Sequence, residues 1–329
     1  MLRGWKIYVM ALVACLCLTT AQAQQTVQFS QYMFNGLALN PAYAGYKEDW
    51  TLNLASRIQW VGINDAPQTG TVSVDGLTDN NSKNMGLGLL MTFDRLGPEN
   101  TTSVYANYSY RLRLDGEDNK RVCFGIGIGG EQYSINGSKF SATDVGDGVI
   151  PLGTESKITP DVRFGIYYYS PSFYVGASAF NLLSSAGIAS IDNLTVVQNV
   201  RTIYTTAGTM LPLSETVDLK PSLMVKTDLK GPLNFDATSY LVFNKKVWIG
   251  ASYRSGVAVW NQANLKSVED NNDAISAIAQ FYINENFRIG YAFDFTTSKL
   301  ANYQNGTHEL SLSITFPSRK GRVLSPRYF

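Results

Sequence analysis

Between Trp50 and Trp60 the even positions are mostly apolar and the odd positions polar or small. The same period of two returns at 103–114, 247–254, 287–295 and 309–316, where for example Leu310, Leu312, Ile314 and Phe316 interleave with Glu309, Ser311, Ser313 and Thr315. Successive side chains of a strand point to opposite faces, so each segment is a strand with one apolar and one polar face. Strands of soluble sheets average about five or six residues. These run about ten, the length of a tilted strand that crosses a membrane. Trp50, Trp60, Phe93, Phe295 and Phe316 sit at segment ends, where the aromatic girdles of such a barrel belong.

About fourteen segments of this kind are predicted, an even number as bacterial barrels require. They lie at 49–60, 68–77, 84–94, 102–114, 121–134, 161–170, 172–180, 202–211, 216–227, 233–243, 247–255, 274–283, 286–296 and 307–316. The expected fold is all-β: a transmembrane antiparallel β-barrel with both termini periplasmic. With the N-terminus in the periplasm, the periplasmic turns at 78–83, 115–120, Pro171, 212–215, 244–246 and 284–285 are all short. The long connections 135–160, 181–201, 256–273 and 297–306 all fall on the other side, the asymmetry of an outer-membrane barrel.

The N-terminus reads as an export signal. Arg3 and Lys6 precede an apolar run from Ile7 to Leu18, and Ala21-Gln22-Ala23 has the A-x-A form of a cleavage site. A rival reading takes Leu12-Val13-Ala14-Cys15 as a lipobox with Cys15 lipidated, which leaves a very short apolar run before it. The division is then 1–23 signal peptide, 24–47 N-terminal periplasmic or plug segment, 48–316 barrel and 317–329 periplasmic tail. Cleavage at Ala23 leaves Cys123 as a single thiol, unable to form an internal disulfide or a zinc site.

Composition narrows the function. Net charge is +1, without the basic excess of a nucleic-acid binder. The one histidine, His308, stands where the last strand begins, and a triad or metal cluster would need it. No enzyme constellation, metal site or cofactor is therefore expected, and a hydrogen bond at the membrane interface is the expected role of His308. The run Gly125-x-Gly127-x-Gly129-Gly130 lies inside an alternating strand, the wrong context for a phosphate loop. Glycines on one face instead let something approach the wall of the lumen.

Charges gather on the polar faces. A charge facing lipid near the midplane costs about 2–4 kcal/mol, so these point inward. Arg57, Arg111, Arg113 and Arg163, with Arg254, Arg288, Asp294 and Glu309, form the candidate polar network of the lumen. They either line a selective pore or pair with one another in a filled lumen. Two stretches lie outside the strands. Phe29, Tyr32, Phe34 and Tyr43 make the first too apolar for a free tail, and Arg327, Tyr328 and Phe329 end the second. All seven are candidates for partner contact, with packing against the barrel as the other reading of the first four.

The stretch Gln28-Phe29-Ser30-Gln31-Tyr32-Met33-Phe34-Asn35, followed by Asn40-Pro41-Ala42-Tyr43-Ala44-Gly45, resembles the opening of the PorP/SprF family of the type IX secretion system of Bacteroidetes. Further likeness runs through Arg57 to Gly62, Pro160 to Tyr168, Trp248 to Arg254 and Ser325 to Phe329. The resemblance implies a non-enzymatic outer-membrane barrel of the secretion and gliding machinery. Its partners would be periplasmic lipoprotein or ring components, exported cargo or a surface adhesin, in a setting of outer-membrane lipid. The alternative is a diffusion channel or a transporter of hydrophobic ligands.

Overall fold

The computed structural model describes residues 28–79, 81–139, 153–183, 188–191, 194–197, 200–229, 231–257 and 272–317. The expected signal peptide, the rival lipobox and all of the tail beyond residue 317 lie outside the described residues.

Fourteen long strands form the barrel. They are β1 (Trp50–Ile58), β2 (Gln68–Leu77), β3 (Met85–Leu96), β4 (Glu99–Arg113), β5 (Arg121–Asn136), β6 (Thr154–Tyr169), β7 (Phe173–Phe180), β8 (Thr202–Thr209), β9 (Val217–Thr227), β10 (Leu233–Phe243), β11 (Val247–Val257), β12 (Asn272–Asn284), β13 (Phe287–Thr296) and β14 (Thr307–Phe316). Each pairs antiparallel with its sequence neighbours, and β14 returns to β1 from Trp50↔Phe316 to Ile58↔His308. Closure satisfies the backbone internally, which a bilayer demands. A two-residue strand, Leu211–Pro212, adds to β9, and a separate hairpin pairs Ile188–Ile191 with Leu194–Val197.

The alternation read from the sequence is the alternation of the wall. Leu87, Leu89, Phe124, Ile126, Ile249 and Leu310 face outward, while Thr51, Asn53, Thr71, Ser73 and Ser109 face inward and are buried. Trp50 and Phe316 pair at one end of the wall, and Phe93 and Phe295 lie exposed toward the other. On the outer face the hydroxyl of Tyr291 lies 2.7 Å from His308 Nδ1.

Six strands exceed their expected lengths, β6 by the most. β5 continues to Asn136 and β6 begins at Thr154, so the connection expected at 135–160 narrows to 137–153. Outward residues there turn polar at Gln132 and Ser134, and the apolar signal stops. The hydrogen-bonded ladder needs only a neighbouring strand and runs on. β6 also outruns β7, whose pairing stops at Phe164↔Ala179. Beyond it the Asp161 carboxylate accepts the N–H groups of Asn181 at 3.3 Å and Leu183 at 3.4 Å and the hydroxyl of Tyr105 at 3.1 Å. Those bonds turn the chain away from the ladder, and Pro160, next along, has no N–H to extend it.

The short connections 78–84, 114–120, 170–172, 210–216, 244–246 and 285–286 share one end with Trp50 and Phe316. The five longest, 59–67, 137–153, 181–201, 258–271 and 297–306, share the other.

Candidate functional site

The lumen is the site, and the chain's own N-terminal segment fills much of it. From Phe29 to Tyr46 most side chains are buried. The backbone is a chain of tight turns: Tyr32–Phe34 and Pro41–Tyr43 are 3-10 turns and Gly36–Leu39 one helical turn. Asn40 caps the last of these, its Oδ1 accepting the Ala42 N–H at 2.9 Å, with Pro41 in the first position, where a missing N–H costs nothing.

The segment crosses the lumen lengthwise. At the long-loop end the Glu309 carboxylate accepts the N–H of Ser30 at 2.8 Å and of Gln31 at 2.9 Å. The Ser30 hydroxyl donates to Asp294 at 2.7 Å and accepts from Arg57 at 3.1 Å. Midway, the Tyr32 hydroxyl meets Ser222 at 2.7 Å. Burial pushes that phenol up to about 12, so it stays neutral. Asn40 Nδ2 donates to the carbonyls of Ile166 at 3.0 Å and Ala177 at 3.2 Å, tying the segment to β6 and β7 together. At the short-turn end the Gly45 N–H donates to Asp75 at 3.0 Å.

The wall is shaped for this backbone. A Cβ on Gly86 would strike the Ala44 carbonyl, one on Gly125 the Ala42 amide, and one on Gly165 the Asn40 side chain. These glycines on β3, β5 and β6 leave a groove for Asn40 to Gly45. Aromatic packing completes the seat. Phe34 lies edge-on to Trp248 and Tyr240 with centroids 5.3 and 5.7 Å apart, and Tyr43 and Tyr46 join Tyr167, Tyr169 and Tyr174.

Phe29, Tyr32, Phe34 and Tyr43, candidates for partner contact from the sequence, are therefore interior, 2–7% exposed. Apolar side chains this large pack where they can be buried, and the lumen of their own barrel is nearer than any partner. Arg327, Tyr328 and Phe329 lie outside the described residues. Of the eight candidate lumen residues, Arg57, Arg111, Arg163, Arg254, Arg288, Asp294 and Glu309 are buried. Arg113 is not: it shares their parity but ends β4 at the short-turn rim and is exposed.

The buried seven do not form one network. Four of them do join: Arg57 pairs with Asp294 at 2.7 Å and Glu309 at 3.1 Å, and Arg254 with Asp236 at 2.6 Å and with Asp294 at 3.8 Å, whereas the other three stand apart. Arg111 donates to the Tyr169 hydroxyl at 2.7 Å, and Arg288 to Gln280 at 2.6 Å. The Arg163 guanidinium lies 3.3 Å from the Tyr105 ring centre and 4.3 Å from that of Phe180, a cation–π stack. The sequence does not single out Asp75 or Ser109, whose hydroxyl donates to the Ala42 carbonyl at 3.0 Å, as contacts of the segment. The inward glycines were the available signal for its path. No group of three or more metal-ligating side chains occurs among the described residues.

The toluene transporter TbuX of Ralstonia pickettii superposes with a TM-score of 0.54 at 10% identity, over 86% of this chain and 94% of that one. The monoaromatic hydrocarbon channel TodX, as its deltaS2S3 mutant, gives 0.46 at 11% identity, over 85% and 94%. Omp33 of Acinetobacter baumannii, an outer membrane protein, gives 0.37 at 10%, over 82% and 98%. At 10% identity the likeness to TbuX shows the fold alone, that of a β-barrel. No curated relative matches the chain. The profile of the family described as type IX secretion system membrane protein PorP/SprF matches residues 21–314. The chain belongs to the PorP/SprF family, an outer-membrane component of the type IX secretion system.

Proposed function

We propose that this barrel serves type IX secretion without catalysis and without conducting solutes, by binding other proteins at its two rims. The filled lumen carries this reading. A segment of the same chain occupies the path a solute would take, held at Glu309, Ser222, Asp75 and the β6–β7 carbonyls. What remains for function is the outside of the molecule. The short-turn end, read as periplasmic from the asymmetry of the connections, would meet scaffold, lipoprotein or ring components. The long-loop end would meet exported cargo or a surface adhesin. Arg327, Tyr328 and Phe329 stay candidates for the periplasmic contact.

The test joins two measurements on one preparation. The barrel purified in mild detergent should retain other secretion components, identified by mass spectrometry, and should not conduct in planar bilayers. Open-pore conductance with no retained component would overturn the reading in favour of a diffusion channel or ligand transporter.

A further inference from the structure

Asn35 Oδ1, Asn53 Oδ1 and Arg288 Nε are buried in the lumen and find no hydrogen-bond partner among the described residues. Their residues are 6%, 8% and 2% exposed. Asn35 belongs to the N-terminal segment, between its first two turns, and the other two belong to the wall. Arg288 on β13 and Asn53 on β1 are both cross-strand partners of Ser313 on β14, so they stand at one height on either side of it. Asn35 reaches the same part of the wall. Its Nδ2 donates at 2.9 Å to Thr71 on β2, two residues from Ser73, the partner of Asn53 on that strand.

All three residues line one cavity, beside Phe34 and Glu309, with about 10 Å³ free to the centre of a water molecule. That is room for about one water and nothing larger. Existing contacts hold two of the three side chains in place. Arg288 Nη1 donates to Gln280 at 2.6 Å and its Cζ lies 4.2 Å from the centre of the Phe34 ring, while Asn35 is held by Thr71. Buried polar groups in native proteins are satisfied by protein or by ordered water. The three atoms are one donor and two acceptors, and a water molecule accepts one bond while donating two. An anion would face two amide oxygens and the Glu309 carboxylate, and a cation would face the Arg288 guanidinium. In a low dielectric such repulsion is strong. Left dry, all three atoms would forfeit the hydrogen bonds they make to water in the unfolded chain.

We infer that this cavity is a binding site for one structural water, which accepts from Arg288 Nε–H and donates to Asn35 Oδ1 and Asn53 Oδ1. The water ties the N-terminal segment to β1 and β13, the two strands that flank β14 at the seam where the barrel closes. It complements Glu309, which holds the amides of Ser30 and Gln31: residues 30–35 are then fixed to the seam at both ends. The site is independent of the secretion reading, because it rests on the lumen alone.

A crystal structure of the full-length barrel, at a resolution that shows ordered water, tests the site directly. One water should lie within about 3.2 Å of all three atoms. A cavity that is empty, held by an ion or a detergent, or occupied out of reach of any of the three would overturn the inference. The rate of the heat-driven mobility shift on gels tests the tie. Asn35→Ala and Asn53→Ala should each speed the shift roughly tenfold, equivalent to about 1.4 kcal/mol. If both hold one water, the first substitution already loosens it, and the double variant should be roughly thirtyfold faster instead of a hundredfold. Asn53→Ala with Tyr32→Phe, whose hydroxyl meets Ser222 elsewhere on the same segment, should be multiplicative. Multiplicative effects in both pairs would overturn the inference, and the crystal decides it alone if the variants fail to insert.

Discussion

Arg57 and Glu309 face each other across the seam at which the barrel closes, cross-strand partners on β1 and β14 with Arg57 Nη1 3.1 Å from Glu309 Oε2. The same carboxylate holds the amides of Ser30 and Gln31, so one side chain joins the closing seam to the lumenal segment. Glu309→Ala leaves two buried amides without acceptors and removes one of the two carboxylates that Arg57 pairs with. Removing one partner of a buried ion pair costs ~3–5 kcal/mol. Asp294 stays beside Arg57, which places the expected loss at the lower end. The heat-modifiable transition should fall accordingly, and Glu309→Gln, which keeps an acceptor oxygen, should fall less. An unchanged midpoint in Glu309→Ala would mean that packing alone retains the segment.

The glycine groove makes a second, steric prediction. Gly125→Val places branched carbon where the Ala42 backbone runs. The wall can accept a β-branched residue, so the strand should still form. The segment should be expelled, and protease applied to the purified barrel should then cut between Gln28 and Tyr46. Gly116→Val, on a short turn where nothing approaches within 4 Å, is the control and should leave the segment protected. Equal protection in both variants would remove the groove from the account.

The sequence disclosed the barrel far better than its contents. Period-two alternation is local, so β1 and β14 were legible from residues 49–60 and 307–316 alone, within two residues at each end. β5 and β6 were underestimated because the signal is lipid contact, and the wall outlasts the lipid. The destination of Phe29 to Tyr43 was not legible. Burial of an aromatic segment says that it packs, not on what, and the answer depends on Glu309, some 280 positions away. Arg113 shows the limit of parity, which assigns a face of the sheet but not a height along it.

Lys47 gives the assembly a pH dependence. It lies outside the strands, and burial together with the repulsion of Arg288 lowers it from 10.5 to about 8. A lysine depressed on folding is charged in both states at low pH and pays its burial penalty there. Between pH 8 and 10.5 the unfolded chain holds the proton that the folded one has lost, so stability rises with pH. The buried phenols of Tyr32 and Tyr43 shift upward and act above pH 10, in the opposite direction. The midpoint of the barrel should therefore climb from pH 8 to 10, and Lys47→Met should reduce that slope. A slope unchanged in Lys47→Met would assign it to other groups.

Orientation is tested by labelling. Cysteines placed in 181–201 or 258–271 should react with an impermeant thiol reagent on intact cells. Cysteines at 115–120 or 244–246 should react only after the outer membrane is opened. Cys123 is buried and adds no background among the described residues. The reverse pattern would place the long loops in the periplasm and exchange the partners proposed for the two rims.

The two ends of the chain should now behave differently, although the sequence presents both as candidate contact surfaces. Phe34 is an interior anchor, so Phe34→Ala should cost about 3–5 kcal/mol through the cavity it leaves among Trp248, Tyr240 and Arg288. Its effect on export should follow from lost folding, and gel mobility and export should decline together. Deletion of Gly321 to Phe329 removes no residue of the fourteen strands or of the lumenal segment. The truncated barrel should fold and melt as wild type while retaining less of its periplasmic partners, since Arg and aromatic residues are the types that most often dominate an interface. The comparison pairs heat-modifiable mobility with co-purification of secretion components for both variants. If the truncated barrel keeps its partners and exports normally, recruitment does not use the tail, and the contact must lie on the short turns, beginning with the 82–84 and 118 pair that Arg121 binds together through Asp118 at 2.6 Å and the Lys83 carbonyl at 2.9 Å.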